Sequence, residues 1–139
     1  MVNPAPNAIL LYSIVGAALL IYVPFLPVAY ARFQVGYNMG APRSMFDKLP
    51  GYAQRATWAH QNAIEAFPIF AAAALMAYVT GANSPLIPGI ALTFLGARLL
   101  HGVFYISDFP WGRSLMFAIG SLCSFTLFGL SLITISSAV

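Results

Sequence analysis

The sequence predicts an all-α integral membrane protein, a four-helix bundle of up-down-up-down topology, and three observations predict it. Of 139 residues, 60% are hydrophobic and 6% charged, whereas a water-soluble surface uses about 25% charged residues. Uncharged runs cover residues 2–31, 66–97 and 114–139, each at or beyond the roughly 20 residues that carry a helix across a bilayer. The second run and its flanks hold two spans, divided where Gly81-Ala-Asn-Ser-Pro85 ends one helix and opens the next. The length suits a single four-span domain over residues 1–139.

Span one is expected over residues 7–31, with Pro24 and Pro27 near its far end. Each proline removes a backbone donor, so a kink is expected, with neighbouring groups satisfying the freed carbonyls. No Lys or Arg precedes this stretch, which therefore reads as a retained helix in a chain beginning near Met1. Arg32 follows at once, long enough to snorkel to the interface or to turn inward. Residues 33–52 hold Gly36, Gly40, Pro42, Pro50 and Gly51 beside Arg43, Asp47 and Lys48, the composition of a solvated loop. Span two is expected over 53–80, bent by Pro68 just after Glu65. Span three covers 86–106, with Pro88 near its start. The turn Ser107-Asp-Phe-Pro-Trp-Gly112 leads into span four, 111–137, where Gly120 and Gly129 are candidate points of close helix contact. The single Cys123 excludes an intramolecular disulfide and reads as a small core residue.

The net charge of +3 arises from six Lys and Arg against Asp47, Glu65 and Asp108. None of it forms a basic run, so no nucleic-acid partner is expected. Basic residues cluster in and around the first and third connections. The positive-inside rule accordingly predicts loops 32–54 and 107–113 in the cytoplasm and both termini on the opposite side.

Polar residues inside spans are costly, roughly 2.5–3.5 kcal/mol for a charge at the helix centre, and usually face a bundle interior or a site. On span two, Arg55, Asn62 and Glu65 share one side of the helix. On span three, Arg98, His101 and Tyr105 do the same, and Arg113 with Ser114 opens span four. Glu65 is the sole anion expected inside a span, so an ion pair with Arg98 is the simplest arrangement. Two readings stand: interhelical glue, or an anion-accepting site near the cytoplasmic ends. His60 lies about 200° around the helix from Asn62 and reads as a helix-contact residue first and a site residue second. Two histidines and one inward carboxylate lack metal-site spacing, so no metal is expected. Ser114 lacks triad partners, and no phosphate loop or dinucleotide fingerprint occurs. The charges cluster at one membrane face rather than along a path, which argues against a transporter.

Three motifs carry a resemblance. Ala59-His60-Gln61-Asn62-x-x-Glu65-x-Phe67-Pro68, then Ala97-Arg98-x-x-His101-x-x-x-Tyr105, then Arg113-Ser114 resemble the MAPEG family, membrane-associated proteins in eicosanoid and glutathione metabolism, in a bacterial-type member. The resemblance implies a homotrimer that binds glutathione as co-substrate between subunits and takes a lipophilic small molecule from the membrane lipids. It implies that Asn62, Glu65, Arg98, His101 and Tyr105 contact glutathione, with Arg55 as an additional cation. Arg113, with Ser114 beside it, would activate the thiol in a transferase or peroxidase reaction on lipophilic electrophiles or lipid hydroperoxides. The sequence departs from the family pattern at Trp58, where glutathione-using members commonly carry Arg, and at Ala66, where several carry Tyr. The first change removes a cation and the second enlarges the pocket wall. Both point to an alternative, a non-catalytic lipid- or partner-binding protein of the same fold.

Overall fold

The computed structural model describes residues 4–138, so the expected start of the chain near Met1 lies outside the described residues. Helices α1 (Pro4–Tyr22) and α2 (Phe25–Gln34) together make the first span, followed by α3 (Gly51–Val79), α4 (Ile87–Ile106) and α5 (Pro110–Ser137). Four segments are long and apolar enough to cross a membrane, Ala8–Gln34, Gly51–Val79, Ile87–Ile106 and Pro110–Ser137. Their ends fall within a few residues of the expected ones because Gly, Pro and polar clusters mark the connections.

The expected kink in span one is a full break at Val23-Pro24. His60 on α3 repairs it: its Nδ1 lies 2.7 Å from the Ile21 carbonyl oxygen in the last turn of α1. A carbonyl can only accept, so Nδ1 carries the proton and donates. The imidazole also sits 5.2 Å from the Phe25 ring at the start of α2. His60 is therefore the helix-contact residue that its position around α3 predicted. Arg32 turns inward, its guanidinium 5.8 Å from the same Phe25 ring.

Two clusters fill the interior. Phe70 and Phe94 stack at 3.7 Å between α3 and α4, joined by Leu10, Ala73, Ala77, Ile87 and Leu127. At the other end Val28, Ala31, Leu49, Ala53 and Ala56 seat α2 and the first loop on the base of α3. Buried alanines along α3 let its neighbours approach closely, the usual way membrane helices gain packing contact. Cys123 is buried as expected, and α3 continues without interruption through Pro68. Gly120 packs against Arg98 and Phe94, whereas a side chain at Gly129 would meet nothing within 4 Å. Only the first of the two glycines makes a close contact.

The loop of residues 33–52 is more ordered than its composition suggests. It contains a 3-10 helix, Pro42–Lys48, with Met45 buried beneath it. Gln54 Nε2 on α3 donates to the Phe46 and Leu49 carbonyls at 3.3 and 3.2 Å, which ties the loop to the span.

Two helix ends are closed by backbone geometry. At the end of α3, Ala82 N–H donates to the Ala77 carbonyl and Gly81 N–H to that of Tyr78, with Gly81 at φ +68°. At the end of α4, Phe109 N–H donates to Phe104 and Asp108 N–H to Tyr105, with Asp108 at φ 59°. Both are Schellman motifs, in which a left-handed residue lets outer amides satisfy the last carbonyls. The second has its apolar contact too, Phe104 against Phe109 at 5.3 Å. It brings α5 back alongside α4.

Candidate functional site

A cavity of about 260 Å³ lies among α3, α4 and α5, and Asn62, Glu65 and Arg98 all line it. The side chains reach it for a simple reason. Asn62 and Glu65 are three residues apart on α3 and so share a face, and Arg98 projects from α4 toward that face over the small surface of Gly120. Arg98 Nη2 donates to Asn62 Oδ1 at 2.8 Å.

That bond replaces the expected ion pair between Arg98 and Glu65. Asn62 lies one helical turn before Glu65 and takes the guanidinium instead, while the Glu65 carboxylate accepts a long bond of 3.4 Å from Gln61 on its own helix. Arg98 is 8% exposed. It is a buried cation held by a neutral partner, with guanidinium donors left over. Glu65 is exposed on the surface of the single chain, and Asn62 retains both amide hydrogens as donors.

A second group lies toward the α4–α5 turn. The Arg113 guanidinium sits 4.6 Å over the Tyr105 ring, a cation–π arrangement. His101 packs edge-on to Tyr105 at 5.6 Å and lies 6.3 Å from Phe117. Phe117 also lines the large cavity, so it joins the two groups.

Two expected site residues, Arg55 and Ser114, belong to neither group, and a third, His101, lies outside the large cavity. Arg55 does not line the cavity: its Nε donates to the Ile106 carbonyl at 3.0 Å, capping the end of α4 and tying α3 to it. Ser114 is exposed and makes no hydrogen bond among the described residues. His101 is 2% exposed, lies outside the Asn62–Glu65 cavity, and borders a smaller one on the opposite side of α4. Ala66 lines the large cavity as expected, whereas Trp58 packs against Phe46 of the loop at 5.6 Å.

The α5 wall of the cavity, Phe117, Gly120, Ser121, Ser124 and Phe125, was not anticipated. Phe117, Gly120 and Ser124 follow Arg113 at four, seven and eleven residues, the spacing of one helix face. Extending the Arg113 face down α5 identifies them.

The fold and this arrangement define a class: a four-span helical membrane protein with a largely apolar cavity between three spans that holds one buried cation, Arg98. The model of the MAPEG family matches residues 9–133, and the chain belongs to that family. No curated protein and no solved structure matches it.

Proposed function

We propose that this chain is a bacterial-type, glutathione-dependent membrane transferase or peroxidase acting on lipophilic electrophiles or lipid hydroperoxides, assembled as a homotrimer. The observation that carries the proposal is the meeting of Asn62, Glu65 and Arg98 in one cavity inside a membrane-spanning bundle. The donor set suits glutathione, a tripeptide with two carboxylates and one ammonium. Arg98 offers forked donors that stay charged, Asn62 offers amide hydrogens, and Glu65 offers an acceptor for the ammonium.

Along α4, Arg98 and Tyr105 are seven residues apart, roughly 10 Å of helix. An extended tripeptide spans roughly the same distance, long enough to touch both Arg98 and the Arg113–Tyr105 pair. Arg113 serves as counter-charge: a nearby guanidinium favours the thiolate over the thiol, and the thiol's proton leaves to water. The sulfur then attacks the electrophile, forming a C–S bond as the leaving group departs. With a hydroperoxide the thiolate attacks the terminal oxygen, the O–O bond breaks and the alkoxide leaves, taking a proton from water as the alcohol; a second glutathione thiol then displaces water from the sulfenic acid to close the disulfide. Arg113 stays protonated throughout.

Basic loops 32–54 and 107–113 are assigned to the cytoplasmic side, where glutathione is available, and both termini to the other. Both loops connect at the same end of the bundle, as the Arg55–Ile106 bond requires.

Purified protein is expected to bind glutathione saturably by calorimetry and to conjugate a general electrophile, and Arg113→Ala is expected to abolish turnover. Absence of both conjugation and peroxidase activity over a broad panel, with oligomers intact, overturns the proposal. One observation favours a second reading, a lipid- or partner-binding protein without thiol chemistry. The cavity wall is largely apolar, with Ala66, Ile69, Phe94 and Phe125, and Trp58 points to the loop. That reading predicts a co-purifying lipid or protein and no saturable glutathione binding.

A further inference from the structure

Arg32 carries a buried polar atom without a partner: among the described residues its Nε hydrogen-bonds to nothing. The side chain as a whole is only half-buried and Nε alone is cut off, so the Nη end of the guanidinium opens to the surface of the bundle. One side of it lies against the Phe25 ring, which leaves the charge itself uncompensated. Taking a cation partly out of water without an anion beside it is costly.

The chain offers no carboxylate to offset that cost. The bond between His60 and the Ile21 carbonyl sets those two residues level. From that level Arg32 lies eleven residues toward the first loop and Glu65 five residues the other way, roughly 20 Å apart along the bundle. The same separation holds for a second copy lying parallel. Asp108 is exposed in the turn after α4 and does not reach Nε, and Asp47 is exposed with Lys48 beside it. Between residues 32 and 52 the cations Arg32, Arg43 and Lys48 face Asp47 alone.

The surroundings are those of a membrane interface. Leu49 packs into the same buried cluster as Val28 and Ala31, so the exposed Lys48 before it comes down beside the end of α2 that carries Arg32. Tyr30 and Phe33 on α2 are exposed, and the Phe33 ring stands 5.2 Å from that of Tyr37. Exposed aromatic rings at the end of a span mark the headgroup level, and a guanidinium fork matches a phosphate. A zwitterionic headgroup brings its own ammonium toward Lys48 and Arg43, whereas a lipid of net negative charge does not.

We propose that Arg32 and Lys48 hold the phosphate of an anionic phospholipid at the end of α2, with Tyr30 and Phe33 against its glycerol and first methylenes. The lipid completes the charge balance that the chain leaves open and fastens the first loop to the end of span one. None of these four residues lines the Asn62–Glu65 cavity, so the site stands whether or not glutathione binds there.

The test is native mass spectrometry of the full chain released from mixed micelles, with phosphatidylglycerol and phosphatidylcholine of identical acyl chains as probes. Phosphatidylglycerol is expected to bind roughly twenty-five-fold tighter, about fivefold for each of two basic residues at the surface. Arg32→Gln is expected to reduce that preference to about fivefold, and Arg32→Gln with Lys48→Gln to remove it. A phosphatidylglycerol with a photoreactive headgroup is expected to label peptides from residues 25–48. Equal binding of the two lipids, labelling confined to residues 107–113, an unchanged preference in the folded double variant, or displacement of the lipid by inorganic phosphate each overturns the proposal. If the double variant does not fold, lipid preference and the labelling map on the native chain decide it.

Discussion

Arg98 shows how much a single partner decides. A hydrogen bond to a charged group contributes about 1.5–3 kcal/mol, and breaking it leaves the charge uncompensated. Asn62→Ala is therefore expected to lower stability by about that amount, measured by reversible unfolding in detergent. It is also expected to weaken glutathione binding, since it removes both the anchor of Arg98 and the free amide donors. Unchanged stability would show that Arg98 finds another partner. His60 gives the contrasting case. Its bond to the Ile21 carbonyl joins α3 to the broken first span, so His60→Phe is expected to cost about 0.6–2 kcal/mol and to leave turnover intact. Loss of turnover at unchanged stability would instead place His60 in the site. The types of these residues and their faces were legible in the sequence, because spacing on one helix fixes which side chains lie together. The choice of Asn62 over Glu65 was not. It depends on the axial register of α4 against α3, and one sequence carries no measure of that register.

The turn between α4 and α5 is an element whose geometry sets the site. A side chain at Gly112 would come within 2.4 Å of the Phe109 ring and 2.7 Å of Phe104, so only glycine lets the Schellman turn fold back with its two phenylalanines in contact. Arg113 follows directly and donates its N–H to the Phe109 carbonyl. Gly112→Ala is expected to cost about 1–3 kcal/mol through overpacking and to lower turnover by displacing Arg113 from Tyr105. Adding Phe109→Ala should restore part of both; no rescue would mean that the ring clash is not the cause. Asp108 holds a left-handed conformation that costs most L-residues roughly 1–2 kcal/mol, so Asp108→Gly is expected to raise the unfolding temperature slightly. At this scale the sequence marks where helices stop, since Gly81, Pro85 and the residues from Ser107 to Gly112 are strong turn signals. It does not reveal the 3-10 helix Pro42–Lys48, because a short 3-10 turn leaves no apolar periodicity. Nor does it separate a kink at Pro24 from a break, which depends on whether a neighbour such as His60 can take the freed carbonyl.

For the whole molecule, Glu65 poses the largest remaining question. It is exposed on the single chain, in a span, with Ile64 and Ile69 exposed on either side of it. Facing lipid, a carboxylate near the helix centre costs roughly 2.5–3.5 kcal/mol on insertion scales, and the long bond from Gln61 offsets little of that. Apolar side chains such as Tyr12, Leu19, Leu122 and Ile133 are exposed outside the Asn62–Glu65 cavity and are suited to lipid or to a neighbouring subunit. The homotrimer proposed above removes the cost if the α3 face is turned toward a neighbour, making the cavity an intersubunit groove. Labelling of Glu65 by an apolar carbodiimide is then expected to be roughly tenfold slower in the assembled protein than in dispersed monomer, equivalent to about 1.4 kcal/mol of protection. Glutathione is expected to slow it further. Native mass spectrometry should show three subunits under the same protecting conditions. Equal labelling rates in assembled and dispersed protein would leave Glu65 against lipid, and the groove would then belong to one chain alone.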